Sequence, residues 1–396
     1  MASNIQSPGP ESQLIEHLRS FLNLTTHAPL EYVCNSALYL LNHVPSTRHA
    51  VLEYIGTFYK VATILHLRYN LNQKNQNNVD LTAETNNINH INQVIDLIEN
   101  SFADLLSRRT TSELWSTELS QWLIDLIGDI VSNTGTAFAD TPGLSSEEIN
   151  MFKTPTLVDG LDIWSNQCKP TQSLLLLIQK CFTNEDQQTK QNIVESLLSS
   201  NTKYSSKIDW VLCYFSALDP NLIFERILAY SLKEFTSSNM QQQKLSLISV
   251  VNFYALNFSN MVKAKIKTLI SDESDEKLKL KKSMLIYLLR ASSQSAALLN
   301  LLLDDMLNKK DNFVIDDELD DKLLNYLLSY LIASNDPLVI SNLFSCLKQI
   351  NNSVAIFDLI SSVLDWFTSQ SEPSAKHNMV NTAQNIIVIF YLNLVV

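Results

Sequence analysis

All six glycines of this 396-residue chain, Gly9, Gly56, Gly128, Gly135, Gly143 and Gly160, precede position 161, so the whole of 161–396 is built without one. Glycine is the default residue wherever a backbone must turn to positive φ, as in two-residue hairpins, bulges and loops that cradle phosphates. A chain that forgoes it over more than half its length is confined to helices joined by short polar turns. Hydrophobic residues make up 45% of the chain and charged residues 18%, enough apolar material for a large core and too much for a disordered polymer. The sequence therefore predicts an all-α protein.

Apolar spacing supports that class in detail. A leader rich in Pro, Gly and Ser covers 1–10, and an α-helical array is expected over 11–396, with exposed loops at 70–89 and 133–156. The first loop is marked by a run of Asn and Gln, the second by Pro142-Gly143 and Pro155. Helices are expected at roughly 11–24, 30–44, 47–69, 91–106 and 111–132, and then at intervals of about 20 residues to the end. Repeated helix pairs of about 40 residues are the signature of an α-solenoid, so the expected architecture is an irregular solenoid of stacked helical hairpins, HEAT- or armadillo-like.

Two stretches carry most of the packing information. From Gln121 to Val131 the apolar arc covers about 200° of the helical wheel and leaves only Asp125 and Asp129 outside, with Gly128 at its edge. This predicts a helix covered on two sides, with Gly128 admitting a neighbouring backbone. From Ser206 to Phe235, Asp219-Pro220 punctuates an αα-hairpin. Its first helix is apolar almost all round through Trp210, Val211, Leu212, Tyr214, Phe215 and Leu218, leaving Asp209 and Ser216 as a polar stripe, and Ser206 with Asp209 has the spacing of a capping-box variant.

The sequence offers little to chemistry. Five widely spaced cysteines, Cys34, Cys168, Cys181, Cys213 and Cys346, sit mostly in apolar helical runs and read as reduced, buried thiols of an intracellular protein. There is no CxxC, HExxH or EF-hand loop, and His43 and His49, flanking Pro45, read as turn and surface residues. No GxSxG, GxxxxGK[ST] or GxGxxG occurs. Residues 143–148 read instead as a helix start, with Ser145 as cap and Glu147 and Glu148 in the first turn. The acidic runs at 272–276 and 316–321 likewise precede apolar helical segments, although Ser271 or Ser274 among those acids could be phosphorylated to tune a charged contact.

No catalytic, cofactor-binding or metal-binding residue is therefore assigned, no cofactor is expected, and the chain reads as a non-enzyme. The formal charge of −12 disfavours a sequence-independent grip on nucleic acid. The one basic region, Lys263, Lys265 and Lys267 with Lys277, Lys279, Lys281 and Lys282, lacks interleaved aromatics and reads as solvated helix faces. The start has no signal-peptide pattern, and the longest apolar run, Ile386 to Val396, falls short of the roughly 20 residues that a membrane span needs.

Several blocks together resemble a known family. They are Ala50-Val-Leu-Glu-Tyr54, Trp122-Leu-Ile-Asp-Leu-Ile-Gly128, Leu161-Asp-Ile-Trp164 with the Thr171–Cys181 segment, Asp209-Trp210-Val211, Phe224-Glu-Arg-Ile-Leu228, Leu232-Lys-Glu-Phe235 and Ile248-Ser-Val-Val251. In order and spacing over about 11–270, and more loosely to 396, they resemble the N-terminal region of subunit 5 of the Integrator complex. The resemblance implies a nuclear, non-catalytic scaffold subunit of an assembly that associates with RNA polymerase II, processes small nuclear RNA 3′ ends and attenuates transcription. It implies other Integrator subunits, the polymerase assembly and protein phosphatase 2A as partners. Family members are longer, so the chain is expected to be truncated at its C-terminus. The alternative reading is a generic HEAT-type adaptor in nuclear transport or trafficking.

Overall fold

The computed structural model describes residues 10–22, 30–74, 82–107, 112–138, 144–183, 185–237 and 247–271, with scattered positions between 287 and 302. Among them there is helix and no strand. The helices are α1 (Pro10–Leu22), α2 (Leu30–His43), α3 (Arg48–Lys74), α4 (Thr82–Ser107), α5 (Ser112–Ala137), α6 (Ser146–Lys153), α7 (Leu157–Asp159), α8 (Lys169–Thr183), α9 (Gln187–Tyr204), α10 (Asp209–Phe215), α11 (Pro220–Ser237), α12 (Ile248–Asn257) and α13 (Ser259–Ser271). Short 3₁₀ turns at Pro45–Thr47 and Ser205–Ile208 lead into α3 and α10, and a π-helical stretch, Gly160–Gln167, continues α7. The chain divides into two compact units between Asp219 and Pro220.

In the first unit α5 is the hub. It packs against α3 and α4 before it in sequence and against α6, α8 and α9 after it. The wide apolar arc explains why: Leu119, Leu123, Ile124, Ile127, Ile130 and Val131 are all buried, so one helix serves neighbours on both sides. The second organiser, α8, buries Leu174, Leu175, Leu177 and Ile178 completely against α3, α4 and α5. A polar chain that runs from the core to the surface ties these helices together. Tyr59 Oη lies 3.1 Å from Ser173 Oγ, which donates to Glu99 at 3.4 Å, and Lys180 donates to the same carboxylate at 3.3 Å. Such a chain fixes the register of α3, α4 and α8, because a slip of any one leaves the others unsatisfied.

Several expectations need correcting. The Asn-rich stretch expected as a loop over 70–89 is mostly helical, since α3 runs to Lys74 and α4 begins at Thr82. Burial of Ile88, Ile91, Val94 and Ile95 outweighs the weak helix propensity of the asparagines between them. Within 133–156, α5 continues to Ala137 and α6 forms with a full capping box. There the Glu148 amide donates to Ser145 Oγ at 3.2 Å, and the Glu148 carboxylate accepts from the Ser145 amide at 2.8 Å. The helix start expected at Ser145 is thus present. At the second expected capping box the chain is a 3₁₀ turn, Ile208 occupies the N-cap position of α10 and supplies no side-chain bond, and Asp209 is buried, while the Ser206 side chain lies outside the described residues. Ser216, expected on a polar stripe, is buried too, with Oγ bonded to the Leu212 carbonyl at 2.8 Å. Both helices of the expected hairpin are present, α10 and α11, with Pro220 starting the second as expected, and the division between the two compact units falls at that turn.

The described glycines of α5 and of the π-helical stretch serve close contact rather than turning. A Cβ on Gly128 would stand 2.3 Å from Tyr204 ring carbons, so what approaches there is an aromatic ring and not the expected backbone. The close backbone lies two turns further on, where a Cβ on Gly135 would meet Lys153 Cα at 2.7 Å. Gly160 starts the π-helical stretch under Trp210, whose Cγ would be 2.4 Å from an added Cβ. Thr171 donates to the Trp164 carbonyl in that stretch and to the Cys168 carbonyl at 2.9 Å, tying the π-helical stretch to the first turn of α8.

In the second unit, α11 buries Leu222, Ile223, Phe224, Ile227 and Leu228, with Phe224 stacked on Tyr254 of α12 at 4.8 Å. Among the described residues of the glycine-free part, one stands in the left-handed region. Leu247, with φ of 60°, sits at the N-cap of α12 and is itself buried, so a core contact holds a conformation that a branched side chain rarely adopts.

His66 on α3 is the buried titratable group with the clearest consequence for stability. Burial pushes its pKa below the ordinary 6.5; the Asn92 side chain opposes this and Lys169 reinforces it. The folded state therefore resists a proton that the unfolded chain accepts, so stability present above pH 6.5 is lost as pH falls from there through the lowered folded value. The thermal midpoint is expected to drop over that window, and to drop less in His66→Gln. An equal drop in the variant would assign the acid sensitivity elsewhere.

Candidate functional site: a groove between two helices

A groove of about 730 Å³ lies between α3 and α5 in the first unit. Helical spacing builds both walls. On α3, Leu52, Glu53, Gly56 and Lys60 recur at intervals of one, three and four; on α5, Glu118, Trp122, Asp125, Leu126 and Asp129 do the same. The α5 wall is the seam that the apolar arc leaves over, where the two aspartates meet the arc's edge. Its size is within the range of ordinary ligand and peptide sites.

A polar cluster closes one end. Lys60 Nζ is 3.0 Å from Asp129 Oδ2, and Tyr204 Oη donates to Asp129 Oδ1 at 2.9 Å and to the Asp125 carbonyl at 3.1 Å. The Asp125 carboxylate takes Lys203 at 3.0 Å and Gln121 at 3.0 Å. Burial alone would raise the Asp129 pKa. The hydrogen bonds from Lys60 and Tyr204, with the charges of Lys60 and Lys203, outweigh it and hold the carboxyl below its usual range. Burial first, then Asp129 itself, push the Tyr204 phenol up to about 12. Asp129 is thus held ionised and Tyr204 neutral around neutral pH, and the arrangement suits binding better than proton transfer.

The outer carboxylates differ. Glu53 and Glu118, one on each wall, are both exposed, and neither forms an ion pair among the described residues. Trp122 lies half-buried between them, its inner side against Phe102 at 6.2 Å.

The residues weighed for chemistry do not converge. His43 and His49 are exposed, as expected for turn and surface positions. Cys34, Cys168, Cys181 and Cys213 are free and buried. Burial raises the thiols of Cys34 and Cys181 to about 12 and that of Cys168 to about 11, so none is a ready thiolate. Among the described residues no group of His, Cys, Asp and Glu is placed to hold a metal ion, and no helix is long and apolar enough to cross a membrane. In the basic region Lys265 is ion-paired with Glu225. Ser271 ends α13, its side chain outside the described residues, and Ser274, Lys277 to Lys282, the acidic runs 272–276 and 316–321 and Cys346 lie outside them entirely.

Sequence reasoning did not find the groove. Asp125 and Asp129 stood out as the residues outside the apolar arc of their segment, but the partner that draws them together, Tyr204, comes from α9, and the opposing wall comes from α3. The usable signal was the glutamate, glycine and lysine stripe on α3 opposite a tryptophan and acid stripe on α5.

The geometry lies wholly inside a recognised family region: the family model described as Integrator complex subunit 5 N-terminus matches residues 12–237, more than half of the chain. No curated protein matches it.

Proposed function

The chain belongs to the Integrator complex subunit 5 N-terminus family, and on that premise we propose that it is a non-catalytic scaffold subunit of the Integrator complex, acting in the nucleus. In this reading the helical array continues as an irregular solenoid and works by holding partner subunits. The assembly it serves associates with RNA polymerase II, processes small nuclear RNA 3′ ends and attenuates transcription, with protein phosphatase 2A among its partners. The family match over residues 12–237 carries the proposal. Two features agree with it: an all-helical build among the described residues, and a groove suited to binding.

Affinity purification of the tagged chain, followed by cross-linking mass spectrometry, tests this directly. Other Integrator subunits and polymerase are expected to co-purify, with cross-links falling on 12–237. Recovery of transport or trafficking proteins instead, with the chain in the cytoplasm, would overturn the proposal in favour of a generic helical adaptor. Nuclease or phosphatase activity intrinsic to the purified chain would overturn its non-catalytic part.

A further inference from the structure

Resting on the scaffold reading, we propose that the groove between α3 and α5 is the docking site for an extended, lysine- or arginine-bearing segment of a partner subunit. The aliphatic stem of the basic side chain lies along Trp122 and Leu126, and its cationic head sits between Glu53 and Glu118.

Three observations carry this. The first is the shape of the floor. Gly56 lies on the α3 wall opposite Leu126 and Trp122, and a Cβ there would be in ordinary contact, 3.5 Å from Leu126 and 3.7 Å from Trp122, so the floor has room for about a methyl group beyond the glycine and would be filled by any long side chain. Glycine is costly in mid-helix, and this one keeps an apolar slot open beside a half-buried indole. The second is which charges are already matched. Asp125 and Asp129 are saturated by Lys203, Lys60, Gln121 and Tyr204, which fixes one end of the groove. Glu53 and Glu118 form no ion pair among the described residues, and they face the same space from opposite helices. Two unmatched carboxylates over an apolar, aromatic floor are complementary to a long side chain that is apolar along its stem and cationic at its tip.

The third is what the same charges refuse. The groove's lining carries four carboxylates, Glu53, Glu118, Asp125 and Asp129, against Arg48 and Lys60, and Lys60 is already bonded to Asp129, so a phosphate backbone would meet a surplus of negative charge and nucleic acid is disfavoured. A second copy of this chain carries a formal charge of −12 and meets the groove with like charge overall. A basic segment of another subunit is left, and it would be steered in by the same acidic surplus.

The experiment uses the affinity-purified assembly. A photo-activatable benzoylphenylalanine at Leu52 is expected to cross-link to a lysine- or arginine-rich segment of one Integrator subunit. In Glu53→Lys/Glu118→Lys, recovery of that subunit is expected to fall about tenfold or more, while other subunits and the thermal midpoint stay at their original values. Gly56→Leu, which fills the slot without changing charge, is expected to lower the same recovery. If the charge-reversed chain recovers every subunit at the original level, or if Leu52 cross-links to an acidic segment, nucleic acid or another copy of the chain, the inference is overturned while the scaffold reading stands. If the unmodified chain recovers no Integrator subunit, both fall together.

Discussion

Trp210→Ala is expected to destabilise the first unit by about 3–5 kcal/mol, the range for truncating a fully buried aromatic. Only 1% of Trp210 is exposed, and its ring lies against the Gly160 backbone, where no side chain exists to relax into the vacated space. The helix that carries it, α10, is seven residues long, too short to persist without tertiary contacts, so its stability is that of its packing. Chemical denaturation would measure the loss. The indole Nε1 has no hydrogen-bond partner among the described residues, so the effect is one of volume and not of a lost bond. Trp210→Phe, which keeps most of the ring and removes a buried donor, is therefore expected to cost under about 1.5 kcal/mol. Gly160→Ala should also destabilise, because its methyl would meet Trp210 Cγ at 2.4 Å, and that penalty should largely vanish in the Trp210→Ala background. Unchanged stability in Trp210→Ala would mean that the ring is not buried in the native state.

How much of this was legible beforehand depends on how local the cause is. The absence of glycine after Gly160 and the apolar spacing sufficed for an all-helical class, and the Ser145 cap was readable because its partner, Glu148, is three residues away. The Asn-rich start of α4 was not readable, because its helix is held by distant burial of Ile88 and Ile91. Leu247 could not be anticipated either: a left-handed leucine persists only because its side chain is inserted in a core that no local pattern announces. The same holds for Asp209 and Ser216. On a helical wheel they form a polar stripe, yet both face into the protein.

The groove is the clearest case of such non-local assembly, and Gly128 gives the sharpest test of how it is held. On an exposed helix Gly→Ala stabilises by about 1 kcal/mol, since alanine is the better helix former. Here Gly128→Ala is expected to destabilise by roughly 1–3 kcal/mol, as overpacked sites do. The new methyl would stand 2.3 Å from Tyr204 Cδ2 and Cε2, and the ring cannot swing aside freely because its hydroxyl is bonded to the Asp125 carbonyl and to Asp129. Displacing it would break those bonds and release the two aspartates that fix one end of the groove. Removing the ring should reverse the sign: in a Tyr204→Ala background, Gly128→Ala no longer meets the ring that stands nearest to it, and its propensity gain should appear as a net stabilisation. Urea denaturation of the four proteins of this cycle reads the coupling directly. A stabilising Gly128→Ala in the otherwise unaltered chain would show that Tyr204 does not lie over α5, and with it would go the account of why Asp125 and Asp129 are matched from within while Glu53 and Glu118 are left for a partner.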